Sequence, residues 1–247
     1  MRSARLQPRV TDAELKLRAP SGSLKVLAAE FVTSVGIPRD GLPQIAFVGR
    51  SNVGKSSLIN ALCRTKIART SAAPGKTRLA NVYRVTLDGG PGGPGRWDLH
   101  FVDLPGYGYA RGGADSANEL KAVAEGYLAA RGFSRASRTA DAKSRAGDAE
   151  SRTGDAELKL RAAGVLLLVD SRHPGQASDI AAARWLDQLG VERHVVATKI
   201  DKLSRAERAR NLKELERTFG TAALPVSADS GEGLNELWQT IAKQARK

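Results

Sequence analysis

Gly49-Arg50-Ser51-Asn52-Val53-Gly54-Lys55-Ser56 fits the pattern G-x-x-x-x-G-K-[ST] without a gap. Just before it, Ile45-Ala46-Phe47-Val48 is a short run of branched and aromatic side chains, read as a buried strand. Just after it, Ser57 to Leu62 reads as the body of a helix. A strand, a glycine-bearing turn and a helix N-terminus in this order make an anion cradle. The glycines let the chain turn tightly, backbone N–H groups point inward, and the helix dipole adds positive potential. Lys55 supplies a point charge for β- and γ-phosphates, and the Ser56 hydroxyl is a hard oxygen suited to Mg²⁺.

The rest of the chain supplies a sheet around this loop. Asn81–Leu87 and Asp98–Val102 are predicted strands, joined across the Gly/Pro-rich tract Gly89–Gly95 as an antiparallel hairpin. Strand, loop and helix then recur three times: Val165–Val169 before Ser178–Leu189, His194–Ala197 before Ser204–Phe219, and Ala222–Val226 before Leu234–Ala245. The expected fold is α/β, a three-layer P-loop fold with a mostly parallel six-stranded sheet, one antiparallel strand and helices on both faces. Lys25–Val32 reads as a short helix at the start of a domain spanning 23–247, after a polar, basic extension, 1–22. Ligands on such sheets bind beyond the carboxyl ends of the strands, so the loops after Val48, Val102, Ala197 and Val226 should hold the site.

Those loops carry suitable chemistry. Asp103-Leu104-Pro105-Gly106 follows a predicted strand, where the Asp103 carboxylate can reach Mg²⁺ through a water and Gly106 can bring its N–H close to a γ-phosphate. In Thr198-Lys199-Ile200-Asp201, the carboxylate can accept two hydrogen bonds from guanine, one from the ring N–H and one from the exocyclic amine. Adenine offers no such pair, and a buried polar group left unpaired costs about 1–3 kcal/mol, enough to discriminate. Lys199 would lay its stem over the base, and Ser227-Ala228, following Val226, would offer a backbone N–H to the guanine carbonyl. A P-loop kinase or ATPase would share the phosphate loop but lack the Asp201 contact.

Composition narrows the partners. The 247 residues carry 39 Lys+Arg against 26 Asp+Glu, a formal charge of +13, which favours a polyanionic partner. Aromatics are only 5%, too few for base stacking to dominate such a contact. No apolar run approaches the ~18 residues of a membrane span, and the first twenty residues lack the apolar core of a secretory signal, so a cytoplasmic protein without membrane attachment is expected. One cysteine, Cys63, excludes an intramolecular disulfide; it reads as a packed side chain. His100, His173 and His194 are too scattered for a metal cluster, and Trp97, Trp185 and Trp238 read as packing residues.

Ser137–Lys143 (SRTADAK), Ser144–Glu150 (SRAGDAE) and Ser151–Glu157 (SRTGDAE) form a tandem seven-residue repeat without the large apolar residues a coiled coil needs. The octapeptide DAELKLRA occurs at both Asp12–Ala19 and Asp155–Ala162, as duplicated coding sequence would leave it. Residues 134–157 are therefore read as a solvated, low-complexity insertion.

The fuller stretches GRSNVGKSSLINALC at Gly49–Cys63, TSAAPGKTRLANVY at Thr70–Tyr83, DLPGYGYA at Asp103–Ala110, DSRHP at Asp170–Pro174 and TKID at Thr198–Asp201 resemble the EngB (YihA/YsxC) family of bacterial ribosome-biogenesis GTPases, within the translation-factor-related class. The resemblance covers roughly 23–133 and 158–247, leaving out the repeat and the N-terminal extension. It implies a GTP-hydrolysing switch that acts in assembly of the large ribosomal subunit, contacts rRNA and ribosomal proteins of the precursor, works as a monomer and is required for normal division and septation. It implies that GTP is contacted by the loop Gly49–Ser56, by Gly75, Lys76, Thr77, Arg78 and Leu79, by Asp103–Gly106, by Thr198–Asp201 and by Val226, Ser227 and Ala228. Lys55, Thr77 and Gly106 would be its catalytic groups. Ser56 and Thr77 would ligate Mg²⁺, with Asp103 acting through water, and Asn52 would hold K⁺. Tyr107 stands where many GTPases place a water-orienting glutamine, so slow intrinsic hydrolysis is expected, with help from a ribosomal particle or a monovalent cation. The other reading is a GTP-dependent binding module for division proteins in which hydrolysis is incidental.

Overall fold

A computed structural model of the protein describes residues 24–34, 38, 40–68, 80–89, 95–107, 162–188, 190 and 192–246. Seven strands are formed: β1 (Lys25–Thr33), β2 (Gln44–Gly49), β3 (Asn81–Asp88), β4 (Arg96–Asp103), β5 (Ala162–Asp170), β6 (Arg193–Thr198) and β7 (Leu224–Pro225). The α-helices among the described residues are α1 (Lys55–Cys63), α2 (Ala177–Gln188), α3 (Arg205–Phe219) and α4 (Leu234–Ala245). The strands form one sheet in the order β1-β3-β4-β2-β5-β6-β7. β3 runs antiparallel to both its neighbours, and all other pairings are parallel. The expected hairpin is β3–β4, in register from Asn81 opposite Asp103 to Asp88 opposite Arg96.

The sheet has seven strands where the sequence reading gave six, and the additional one is β1, which that reading made a helix. Its segment, KVLAAEFVT, pairs with β3 from Lys25 opposite Asp88 to Thr33 opposite Val82. Register shifts between Val26 and Ala28 and between Phe31 and Thr33 break the alternation of inward and outward side chains. A period of two is therefore unreadable in the sequence. Val26 and Ala29 pack on the core, while Leu27, Phe31 and Val32 stay exposed on this edge strand; the Phe31 ring meets Tyr83 edge to face at 5.9 Å.

Side chains alternate across the central strands and build a core on each face. Ile45, Phe47, Phe101, Leu166 and Leu168 face α1 and α4, packing with Leu58, Leu62, Leu237, Trp238 and Ile241. Ala46, Val48, Val102, Val165, Leu167 and Val169 face α2 and α3, packing with Ala183, Leu186, Leu215 and Phe219. Complete burial on both faces explains why these strands read as continuous apolar runs. Ser204 and Glu207 close a capping box on α3, and Gly54, at φ 108°, starts α1 in a conformation that disfavours side-chain-bearing residues.

Phe101 anchors the first core: its ring lies 4.9 Å from Phe47, edge to face, and 5.4 Å from Trp238, stacked. Phe101→Ala should therefore cost about 3–5 kcal/mol in urea unfolding. Leu27→Thr, on the exposed edge, should change stability by no more than about 0.5 kcal/mol.

Candidate nucleotide-binding site

Parallel pairing brings four strand ends together. Phe47 of β2 pairs with Asp103 of β4, Gly49 of β2 with Leu168 of β5, and Asp170 of β5 with Thr198 of β6. The loop Gly49–Ser56 leaves β2 at this edge and turns directly into α1. Asn52 sits at φ 63°, a left-handed conformation that asparagine tolerates, and its exposed side chain stands at the rim. Lys55 is buried beneath the loop, where its Nζ donates to the carbonyls of Gly49 (2.9 Å) and Arg50 (3.2 Å). Burial lowers the pKa of its ammonium, against the pull of the nearby Asp103 charge.

Asp103 is buried too, and burial raises its pKa, opposed by Lys55 and by a hydrogen bond from Ser56. The Ser56 hydroxyl donates to Asp103 Oδ2 at 3.1 Å, while Oδ1 is buried without a hydrogen-bond partner among the described residues. A buried carboxylate oxygen in need of a partner, beside a hydroxyl, is a hard-oxygen donor set that fits Mg²⁺. No group of three or more His, Cys, Asp or Glu side chains able to hold a metal occurs among the described residues. Gly106 lies against the phosphate loop: a Cβ there would stand 2.8 Å from the Ser51 nitrogen and 2.9 Å from Lys55 Nζ, so only glycine fits.

Beside the phosphate loop, a cleft of about 290 Å³ is lined by residues including Leu58, Arg172, Thr198, Lys199, Asp201 and Ala228. Asp201 Oδ1 accepts from the Ser227 hydroxyl at 2.7 Å, and Lys202 Nζ lies 2.9 Å from Oδ2. Lys202 first, then Ser227, hold the Asp201 carboxyl below its usual range, so it is an acceptor near neutral pH. The Ser227 hydroxyl in turn accepts from the backbone N–H groups of Asp229 (3.2 Å) and Ser230 (3.0 Å), which fixes its direction. The Ser227 backbone N–H donates to the Glu232 carbonyl, leaving Ala228 as the residue of this pair placed to offer an amide to the cleft. Val226 is buried, donates its N–H to the Ala197 carbonyl and accepts from the Ile200 N–H, locking the two loops together. The Thr198 hydroxyl lies 2.8 Å from the Val53 carbonyl and 3.1 Å from that of Val169, stitching the phosphate loop to β5.

Lys199, at φ 61°, donates to the Asn52 carbonyl (2.6 Å) and to Asp170 Oδ2 (2.9 Å). Arg172 grips the same carboxylate through Nε (2.9 Å) and a terminal nitrogen (2.7 Å). Burial opposes ionisation of Asp170, but the hydrogen bonds from Arg172 and Lys199 outweigh it and draw the carboxyl down to about 2. One carboxylate thus orients two cations on the cleft wall.

The structure therefore brings together Gly49–Ser56, Asp103–Gly106, Thr198–Asp201 and Val226–Ala228. Gly75, Lys76, Thr77, Arg78 and Leu79 lie outside the described residues, as do the extension 1–22 and the repeat 134–157. The sequence reading gave no role to Asp170, although it lies in the quoted DSRHP stretch, or to the side chain of Ser227. Asp170 had the same signal as Asp103, a carboxylate at the tip of a buried strand, yet the loop after Val169 was not counted. Asp179, described below, lies within α2 and belongs to no motif. Cys63 is buried, with its thiol pushed up to about 12, and the His173 N–H closes a turn on the Asp170 carbonyl.

A phosphate loop closing a parallel sheet, the hydrogen-bonded Ser56–Asp103 pair and a cleft walled by Lys199 and Asp201 define a P-loop GTPase. Comparison with known proteins is more specific. Residues 44–199 match the family model described as 50S ribosome-binding GTPase. The chain is 41% identical over 220 residues to the probable GTP-binding protein EngB of Solibacter usitatus, covering 87% of this chain and 95% of that protein. It is 38% identical over 225 residues to the EngB of Chlorobaculum tepidum, covering 88% and 97% respectively. Among solved structures, an S. thermophilus NFeoB variant bound to GDP.AlF4- shares the fold at 19% identity and a TM-score of 0.50, over 83% of this chain and 64% of that one. The chain belongs to the EngB family and is a GTP-hydrolysing enzyme.

The Asp170 carboxyl titrates near 2 in the folded protein and near 3.9 when unfolded. Its contribution to stability is then present above about pH 4 and lost as pH falls towards 2. Asp170→Asn should lower stability by about 1.5–3 kcal/mol at neutral pH. The difference in thermal midpoint from wild type should hold from pH 5 to 8 and close below about pH 4. A difference that persists unchanged in acid would mean that charge is not its source.

Proposed function

We propose that this GTPase is a molecular switch in assembly of the large ribosomal subunit. The observation that carries the reading is the match of residues 44–199 to a family described by its 50S ribosome binding, in a chain of net charge +13. Such an excess favours an RNA-rich partner through counterion release. We assign the protein to the cytoplasm as a monomer; no helix among the described residues is long and apolar enough to cross a membrane. The link to cell division and septation follows, on this reading, from the supply of large subunits. The GTPase domain is taken as 23–247, with the repeat 134–157 as a solvated insertion outside the switch.

Hydrolysis of GTP to GDP and phosphate depends chiefly on positioning and on stabilising charge. Loop N–H groups from Arg50 to Ser56 cradle the phosphates. Lys55, already desolvated, turns its ammonium from the Gly49 and Arg50 carbonyls to the β- and γ-phosphates. Ser56 and Thr77 would hold Mg²⁺, with Asp103 acting through water, and the ion would supply positive charge beside the phosphates. The Gly106 N–H meets the γ-phosphate, and we assign further GTP contacts to Gly75, Lys76, Thr77, Arg78 and Leu79. Asn52, exposed at the rim, is the residue we assign to a potassium ion. The Tyr107 hydroxyl donates to Asp179 at 3.0 Å and so does not orient the attacking water. Intrinsic turnover is therefore slow, and the stimulus comes from the ribosomal particle or the monovalent cation.

Sedimentation with purified large subunits tests the proposal. With a non-hydrolysable GTP analogue, the protein should pellet with the subunit about tenfold more than with GDP, and the association should weaken steeply between about 50 and 200 mM salt. Guanine-nucleotide binding without any particle association would instead favour a binding module that serves other proteins.

A further inference from the structure

Arg50, Tyr107 and Asp179 come from three separate parts of the chain and meet in one triangle. Asp179 lies in the first turn of α2 with its side chain 2% exposed. Its Oδ1 accepts from Arg50 Nε and from the Tyr107 hydroxyl, both at 3.0 Å, and its Oδ2 lies 3.1 Å from the same Arg50 nitrogen. Burial disfavours the charge on Asp179, and the Arg50 guanidinium offsets this. Each side chain therefore requires the others: without Arg50 the carboxylate is a buried charge alone, and without Asp179 the phenol has no acceptor.

The triangle is reinforced by the backbone. Arg50 and Tyr107 form a parallel bridge, the Ser51 N–H donates to the Tyr107 carbonyl at 3.0 Å, and the Ser51 hydroxyl donates to the Gly106 carbonyl at 3.3 Å. Gly106 is thereby pressed onto the phosphate loop, with no room for a Cβ between it and Lys55. Asp179 itself is not part of the cleft wall, which no residue of α2 lines.

We propose that Asp179 is a positioning residue for GTP hydrolysis: through Arg50 and Tyr107 it holds Gly106 against the phosphate loop, and Tyr107 serves as the tie in this arrangement. The proposal rests on the GTPase reading of the site. GDP ends at the β-phosphate and has no use for Gly106, whereas GTP must be read there. Loss of the tie therefore separates the two nucleotides, which simple loosening of the loop would not do.

The test uses the full chain carrying Asp179→Asn, Tyr107→Phe and both together. Asparagine keeps the shape but loses the charge, and phenylalanine keeps the ring and loses one hydroxyl, so the second variant remains informative if the first folds poorly. GDP affinity should stay within about twofold of wild type, while affinity for a non-hydrolysable GTP analogue should fall about five- to twentyfold, the usual scale of coupling between sites. kcat should fall in both single variants, and the double variant should be no worse than the more impaired single one. Equal losses for GDP and GTP would overturn the proposal, reducing Asp179 to support of the loop. It would also be overturned if Tyr107→Phe abolished turnover with Asp179→Asn unaffected, because the phenol would then act on water itself. Wild-type GTP and GDP binding, measured in the same titrations, is absent only if the GTPase reading fails.

Discussion

The parallel pairing of β2 with β4 on one side and β5 on the other is the constraint on which the rest depends. It delivers Gly49, Asp103 and Asp170 to one edge of the sheet, each at the end of a strand buried on both faces. A slip of one residue would exchange the two cores, turning Phe47 and Phe101 towards α2 and α3. The aromatic contacts of Phe101 with Phe47 and Trp238 thus fix the register of the site as well as the stability of the domain. A parallel sheet leaves its loops at this edge free to specialise, and here each loop brings different side chains to the same end of the sheet.

Three buried carboxylates surround the phosphate loop, and each is neutralised differently. Asp170 has two cations, Lys199 and Arg172, and is held strongly ionised. Asp179 has Arg50 and a phenol. Asp103 has the Ser56 hydroxyl and the nearby Lys55 charge, and one of its oxygens lacks a hydrogen-bond partner. It is therefore the carboxylate whose surroundings best suit an additional cation, and it lies beside Ser56 at the end of the phosphate loop. The other two serve as mounts, Asp170 for Lys199 and Arg172 on the cleft wall and Asp179 for Arg50 and Tyr107.

Much of this was legible in the sequence, for identifiable reasons. The phosphate loop, Asp103–Gly106 and Thr198–Asp201 are contiguous motifs at strand ends, where spacing and chemistry coincide, and the fully buried strands announce themselves as short apolar runs. β1 was misread because two register shifts erase its alternation and because it lies at the edge, with Leu27 and Phe31 exposed. The Ser227 side chain was passed over because its role, orienting Asp201, exists only once β6 and β7 are paired. Asp179 could not have been found from spacing at all, since it stands 129 residues from Arg50 and 72 from Tyr107.

The central claim is that Asp201, oriented by Ser227, selects guanine in the cleft beside the phosphate loop. Competition binding with GTP, ATP and XTP, on wild type and Asp201→Asn, tests it most directly. An amide at this position offers one acceptor and one donor, matching the ring N–H and the 2-carbonyl of xanthine in place of the two donors of guanine. The account predicts that wild type prefers GTP, and that Asp201→Asn loses more than about 1 kcal/mol of GTP affinity while gaining affinity for XTP. Equal wild-type affinity for ATP and GTP, or an Asp201→Asn protein that binds GTP as wild type does, would contradict it.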